Sequence, residues 1–325
     1  MFGSHLSIAG SLVNALTEAA QLKMDCVQIF TKNQRQWKAS PLAAEEITSW
    51  KEAVRRMGWE ATSPGDPDRV VSHNSYLINM ASPDKETWEK SVALQRVELE
   101  RCETLGIRCC VAHPGAHMGE SLKTGKPHAL GAPPSKAELA GMKRIVKALD
   151  RLHRELPGYR AMTCLETTVG SGSNLGYDFA QLAWIRQNIA SPDRVAFCFD
   201  TCHVTAAGYD MTTDEGAKAV LEQFDAVCGF SNLRVFHLND SVGAVGSRRD
   251  RHAHIGFGAC GLSCFRSIVS EPRFEALPMI LETPKEMNEK GELWDVVNIR
   301  RLKGLRRRGV RGAAAASPGK GRRGM

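Results

Sequence analysis

No stretch of this 325-residue chain combines a basic start, an apolar run and a small-residue cleavage site. No apolar segment approaches the roughly 20 residues that span a bilayer. A soluble, cytoplasmic protein with no membrane partner is therefore expected. The ten cysteines contain no C-x-x-C, and Cys26, Cys109, Cys110, Cys164 and Cys198 sit inside apolar runs, so reduced thiols are expected rather than a disulfide framework. Acidic residues are missing from Arg300 to Met325, where ten basic residues exceed the whole net charge of +7. The rest of the chain is thus mildly acidic, and its overall basicity says little about partners of the folded part.

What is present is a succession of short apolar runs. Phe2–Ser7, Cys26–Phe30, Val70–His73, Arg108–His113, Met162–Glu166, Val195–Asp200, Leu233–Leu238 and Pro278–Glu282 are predicted to be buried parallel strands. Amphipathic stretches near Leu12–Leu22, Pro41–Met57, Asp84–Leu105, Ser135–Leu156, Tyr177–Ile189, Thr213–Val227, Leu262–Ser270 and Leu293–Leu305 alternate with them as predicted helices. Eight β-α units in order predict an α/β fold, a (β/α)8 TIM barrel over residues 1–305. Residues 306–325, rich in Arg, Gly, Ala and Pro, form a basic, disordered tail in this scheme. That tail is either dispensable or a nonspecific DNA tether whose phosphate contacts would make affinity salt-dependent.

The runs end in imidazoles and carboxylates: His73, His113, Glu166, Asp200 with His203 close behind, His237 and Glu282, joined by Asp250 and His252 in a loop. In a TIM barrel the C-terminal strand ends line the reactive mouth. A single His or Glu in such a place is usually a satisfied hydrogen-bonding partner. Three carboxylates converging on one mouth are different, because each costs several kcal/mol if buried unpaired and no strand-end Lys or Arg is offered. Divalent metal supplies the missing cation. The donor set suits zinc and would equally accept manganese, and nine ligands exceed what one ion needs.

These residues lie in motifs that resemble a known family. Phe30-Thr-Lys-Asn-Gln-Arg-Gln-Trp37, His73-Asn-Ser-Tyr-Leu-Ile-Asn79, His113-Pro-Gly-Ala-His117, Leu165-Glu-Thr167, Cys198-Phe-Asp-Thr-Cys-His203, Ala207-Gly-Tyr-Asp210, His237-Leu-Asn-Asp240, Gly246-Ser-Arg-Arg-Asp-Arg-His252 and Leu281-Glu-Thr283 occur in order. Together with the opening Gly3-Ser-His5-Leu-Ser7 they resemble endonuclease IV, the zinc-dependent apurinic/apyrimidinic endonuclease family, from about residue 3 to 300. The resemblance implies three zinc ions. His73 and His113 would hold one, Asp200, His237 and Glu282 a second, with Glu166 bridging the two, and His203, Asp250 and His252 the third.

A metal cluster neutralises a phosphate, acidifies a bound water and stabilises the leaving oxygen, so no Ser or Cys nucleophile is required. The expected reaction is in-line attack by a metal-bridging hydroxide on the phosphate 5′ to an abasic site in duplex DNA. The products would be a 3′-hydroxyl and a 5′-deoxyribose phosphate, with Glu166 and Glu282 as the catalytic carboxylates. Glu282 would orient or deprotonate the water. The resemblance also makes Arg35, Tyr76 and Leu77 the residues inserted into damaged DNA, where they replace or wedge aside an expelled nucleotide. A monomer is expected, since duplex must lie across an open barrel face.

A metal-dependent sugar isomerase or epimerase is the alternative: it accounts for Glu166, Asp200, His237 and Glu282, but leaves Asp250, His252 and the Arg35 and Tyr76 loops without purpose. The Gly170–Gly176 stretch has the wrong glycine spacing for a dinucleotide loop. His117 is read as a hydrogen-bonding neighbour of His113, His254 likewise, and His128 and His153 as surface residues. Two prolines in Ala61–Arg69, a departure from the family, should stiffen the entry to the third strand.

Overall fold

A run such as Val195-Ala-Phe-Cys-Phe-Asp200 is apolar on both faces, which suits a strand covered by helices outside and by other strands inside. The computed structural model describes residues 1–63, 65–119 and 129–316, with side chains as far as residue 307. Its strands are β1 (Phe2–His5), β2 (Cys26–Phe30), β3 (Val70–His73), β4 (Cys109–Ala112), β5 (Met162–Glu166), β6 (Val195–Asp200), β7 (Leu233–His237), the short β8 (Asp240–Ser241) and β9 (His252–Ala253), and β10 (Met279–Leu281). β1 to β7 pair in parallel in chain order, β10 pairs with β7, and β10 returns to β1 with Ser4 opposite Leu281. The expected (β/α)8 TIM barrel is therefore present, closed, with every expected strand in place.

Period-two alternation sorts the barrel residues into two cores. Outward-facing Val27, Leu165, Phe197, Phe199 and Phe236 join the large cluster between strands and helices. Inward-facing Cys26, Val71, Cys109, Cys164, Cys198, Val235 and Ile280 form a separate, slimmer cluster, against which Met1 and Met162 also pack. At Gly3 a Cβ would stand 1.9 Å from the Cys26 carbonyl oxygen, so only glycine lets β1 and β2 approach this closely.

The helices are α1 (Leu12–Gln21), α2 (Ala44–Arg56), α3 (Lys85–Leu105), α4 (Lys136–Glu155), α5 (Phe179–Gln187), α6 (Thr201–Ala207), α7 (Asp214–Cys228), α8 (Gly261–Val269) and α9 (Trp294–Ala316). Short polar side chains start several of them: Asp84 accepts from Thr87 N–H, Ser135 and Glu138 form a capping box on α4, and Thr213 accepts from Gly216 N–H. The helix expected near Leu293–Leu305 continues to Ala316, in keeping with the Arg and Ala content beyond residue 305. Arg306, assigned to the tail from sequence, instead lies over the Phe2 ring and donates to Val269 O at 2.8 Å. Residues 317–325, the rest of that tail, fall outside the described residues.

Candidate metal centre

The inward-facing pattern continues toward the C-terminal ends of the strands, but the chemistry changes. Two residues beyond the apolar layer, the same faces carry His5, Gln28, His73, His113, Glu166, Asp200, His237 and Glu282. Glu166, Asp200 and His237 are fully buried, and His73 is 2 % exposed. The Glu166 carboxylate sits at the centre. Its Oε2 is 3.3 Å from His73 Nε2 and 3.2 Å from His113 Nε2, and its Oε1 is 2.9 Å from His237 Nδ1 and 3.2 Å from His203 Nδ1. Glu282 Oε2 lies 3.2 Å from His237 Nδ1. His203 Nε2 and His252 Nε2 both face Asp250 Oδ1, at 3.2 and 3.5 Å.

Of four groups of ligand atoms close enough to hold an ion, one draws on the buried Cys198 thiol with Glu166 and His237, and three adjoin through oxygen and nitrogen alone: His73, His113 and Glu166; Glu166, Asp200, His237 and Glu282; and Asp200, His203 and His252, with Asp250 beside the last. The rings are oriented for this. His73 Nδ1 donates to Asn74 O at 2.9 Å, His203 Nδ1 to Thr167 O at 2.8 Å, and His252 Nδ1 to Glu282 O at 3.2 Å, which leaves each Nε2 lone pair for the centre. Among the described residues His252 Nε2 is buried with no hydrogen-bond partner, as suits a ligand atom. Burial alone would keep His237 neutral, yet the carboxylates of Glu282, Glu166 and Asp200 raise it to about 9. Burial opposes ionisation of Glu166 too, but the imidazoles of His237, His113 and His203 hold it well below the usual carboxylate range. Protons on imidazole thus stand where divalent charge fits, and ions binding there would displace them.

Comparison with known proteins settles the lineage. The profile of the xylose isomerase-like TIM barrel family matches residues 16–301. A probable endonuclease 4 of Geobacter sulfurreducens is 42% identical over 94% of this chain and 95% of its own length. One of Chloroflexus aurantiacus is 43% identical over 87% and 91%. The chain belongs to the endonuclease 4 family. The endonuclease IV structure from Thermus thermophilus superposes with a TM-score of 0.75 at 32% identity, covering 94% of this chain and 99% of that one. An L-ribulose 3-epimerase, at 15% identity and a TM-score of 0.65, shares the fold.

Around the endonuclease 4 barrel mouth, the Arg35 loop follows β2 and the Tyr76 loop follows β3. Arg35 is exposed, Leu77 is half-buried against the core, and Tyr76 is 63% exposed with its ring edge-on to Phe30 at 5.5 Å and tilted over His73 at 5.5 Å. One carboxylate braces both loops: Glu98 on α3 accepts from Thr31 Oγ1 at 2.7 Å and from Ser75 N–H at 3.2 Å. Lys32 Nζ, 4.0 Å from Glu98, ties down the carbonyls of Asn33 and Gln36, and Ser75 Oγ donates to Gln34 O.

Several supporting residues had not been singled out from sequence. Asn239, just after β7, donates to Asp200 Oδ2 at 2.7 Å and accepts from Glu282 N–H at 2.7 Å. Gln28 touches His237, Glu282 and His5. Its place two residues past inward-facing Cys26 was the available signal. His203, close behind the end of β6, lies in the first turn of α6 because Asp200 caps that helix by accepting from His203 N–H at 2.8 Å. His252 likewise opens β9 rather than lying in a loop, paired with Ser241 of β8.

Among the remaining expectations, one needs correction. His153 is buried, 8 % exposed, not on the surface. The ring Nδ1 of His117 accepts from Gly119 N–H, and His254 stacks on Trp294 at 3.9 Å. His128 lies outside the described residues. In the Gly-rich stretch, Gly170 and Gly176 have φ of +67° and +92°, so these glycines serve backbone turns. The proline-bearing entry loop is tethered by Asp66, which accepts from Thr62 and Ser63 N–H, and by the Arg108–Asp68 pair; Pro64 itself lies outside the described residues.

Proposed function

We propose that this chain is a DNA repair endonuclease that hydrolyses the phosphodiester bond 5′ to abasic sites in double-stranded DNA. The products are a 3′-hydroxyl and a 5′-deoxyribose phosphate. The observation that carries the reading is the set of three adjoining ligand groups meeting at Glu166 and Asp200 in the mouth of an endonuclease 4 barrel. His73 and His113 would hold one zinc and Asp200, His237 and Glu282 a second, with Glu166 shared between them. His203, Asp250 and His252 would hold the third. Bound zinc supplies neutralisation of the phosphate and acidification of a water toward neutral pH.

The chain's own groups do the rest. Glu166 has an oxygen directed at each side of the cluster, so it fixes the spacing between the two halves. Glu282 has some of its side chain open to solvent, at 14% against 0% for Glu166, and would orient an incoming water. Exposed Tyr76, seated on Phe30 and His73, stands over the cluster where a wedge must enter the stack, with Leu77 behind it. Arg35 projects from the neighbouring loop toward phosphates or base edges. The enzyme would act as a cytoplasmic monomer; among the described residues no helix is long and apolar enough to cross a membrane.

A sugar epimerase on the same barrel would use Glu166, Asp200, His237 and Glu282 but has no work for His203, Asp250 and His252. Duplex carrying one tetrahydrofuran abasic analogue separates the two. Incision 5′ to the analogue by zinc-loaded protein supports the endonuclease. Turnover of a ketose with no incision would refute it.

A further inference from the structure

Gln28 is an uncharged polar residue in the middle of a buried apolar strand, fully enclosed, and all the hydrogen-bonding capacity facing the cluster is used. Its Oε1 accepts from His237 Nε2 at 2.8 Å. Its Nε2 donates to Glu282 Oε1 at 2.7 Å and lies 2.9 Å from His5 Nδ1. The amide orientation is fixed by charge. Rotated by half a turn, it would set a carbonyl oxygen against the Glu282 carboxylate and an NH2 group against an imidazole N–H.

The consequence falls on His237. The other three imidazoles with an assigned outer partner, His73, His203 and His252, give Nδ1–H to a backbone carbonyl and keep Nε2 for the centre. His237 is reversed: Nδ1 faces Glu166, Asp200 and Glu282, and the proton must reside on Nε2. Among these four rings the Nε2–H form belongs to His237, and the group that accepts that proton is the Gln28 side chain. Glu282 is divided in the same way, with Oε1 held by Gln28 and Oε2 left beside His237 Nδ1.

We propose that Gln28 is the positioning residue of the second ion: it sets the Nε2–H tautomer of His237 and the rotamer of Glu282, so that His237 Nδ1 and Glu282 Oε2 present to one point. This rests on the metal-centre reading above. Gln28 touches no substrate and acts only through those two ligands. It accounts for why His237 faces the cluster through Nδ1, where His73, His203 and His252 offer Nε2.

The test compares wild type, Gln28→Met, which keeps the length without the amide, and Gln28→Glu, which can accept from His237 Nε2–H but repels Glu282. Zinc per chain is titrated against a competing chelator, and histidine tautomers are read by 15N NMR of the zinc-loaded proteins. Gln28→Met should lower the affinity of one of the three zinc ions by roughly 10- to 100-fold, the usual range for lost outer hydrogen bonds to ligands. It should also leave the Nε2–H tautomer of His237 without its acceptor and shift the 15N signals of that ring, while the other histidine signals stay in place. Gln28→Glu should retain that tautomer but weaken the same ion, and decides the matter if the methionine variant does not fold. Unchanged affinity for all three ions and an intact His237 signal in either folded variant would overturn the proposal. Failure of wild type itself to take up stoichiometric zinc would instead overturn the metal-centre reading.

Discussion

Two layers of the barrel interior lie one residue pair apart on the same strands, yet they behave as different materials. In the lower layer Cys26, Cys164, Cys198, Val235 and Ile280 fill a narrow space with small apolar and sulfur atoms. In the upper layer the next inward residues are Gln28, Glu166, Asp200, His237 and Glu282, which meet through hydrogen bonds and charge pairs. The lower layer is finished: its thiols are free, buried and inert, with burial pushing Cys26 up to about 12 and Cys198 well above the usual range. The upper layer gathers carboxylates and imidazoles at one place, and among the described residues the buried His252 Nε2 beside it has no hydrogen-bond partner. Packing demands make the first layer; a ligand makes sense of the second.

If the layers divide labour in this way, damage to each should read out differently. The largest effect is expected from Glu166→Gln, which removes the charge shared by both halves of the cluster. Incision should fall by far more than the roughly 100-fold of a lost outer contact, while the thermal unfolding of the metal-free protein barely falls. Wild-type incision rates in a Glu166→Gln sample of verified metal content would break the distinction. Gly3→Ala in the lower layer should do the reverse. A methyl cannot share space with the Cys26 carbonyl, so stability should drop by about 3 kcal/mol or more with or without zinc, as measured by denaturant titration.

At the rim, Arg35→Ala and Tyr76→Ala should each cost about 10-fold, roughly 1.4 kcal/mol, in preference for abasic over intact duplex, with zinc content unchanged. Equal preference in wild type and variants, measured by competition binding, would remove the wedge.

The smallest effect contrasts two kinds of buried histidine. Those at the mouth face carboxylates, whereas burial and the Arg194 charge push His153 on α4 down from 6.5 to about 4. A depressed folded value means the stabilising neutral form is fully present above about pH 6.5 and is lost as pH falls toward 4. His153→Leu should therefore flatten the loss of stability across that window, by an amount of order 2 kcal/mol, and leave incision at neutral pH untouched. An unaltered pH slope would contradict the burial argument.

The barrel and its nine candidate ligands were legible because strand ends and period-two alternation are written in the chain itself: Cys164 then Glu166, Cys198 then Asp200, Ile280 then Glu282. Gln28 and Asn239 were not, since an amide has no titratable signature and partners such as His237 and Glu282 for Gln28, or Asp200 and Glu282 for Asn239, lie far away in sequence. The placement of His203 was hidden by the double role of Asp200, which is a helix cap as well as a candidate ligand. The cap is what starts α6. His153 was misjudged because its position in a charged helix, Arg151-Leu-His153-Arg154, does not reveal that the helix turns that side inward.

The central claim is that the upper layer is a metal centre that hydrolyses DNA beside abasic sites. Its most direct measurement is incision of a duplex bearing a single tetrahydrofuran analogue by one preparation in three states: as loaded with zinc, after exhaustive chelation, and after zinc is returned. Cleavage 5′ to the analogue in the first and third states, with a 3′-hydroxyl product and none in the second, is expected. Undiminished cleavage by protein shown to be free of metal, or no cleavage by the fully loaded enzyme, would contradict the account.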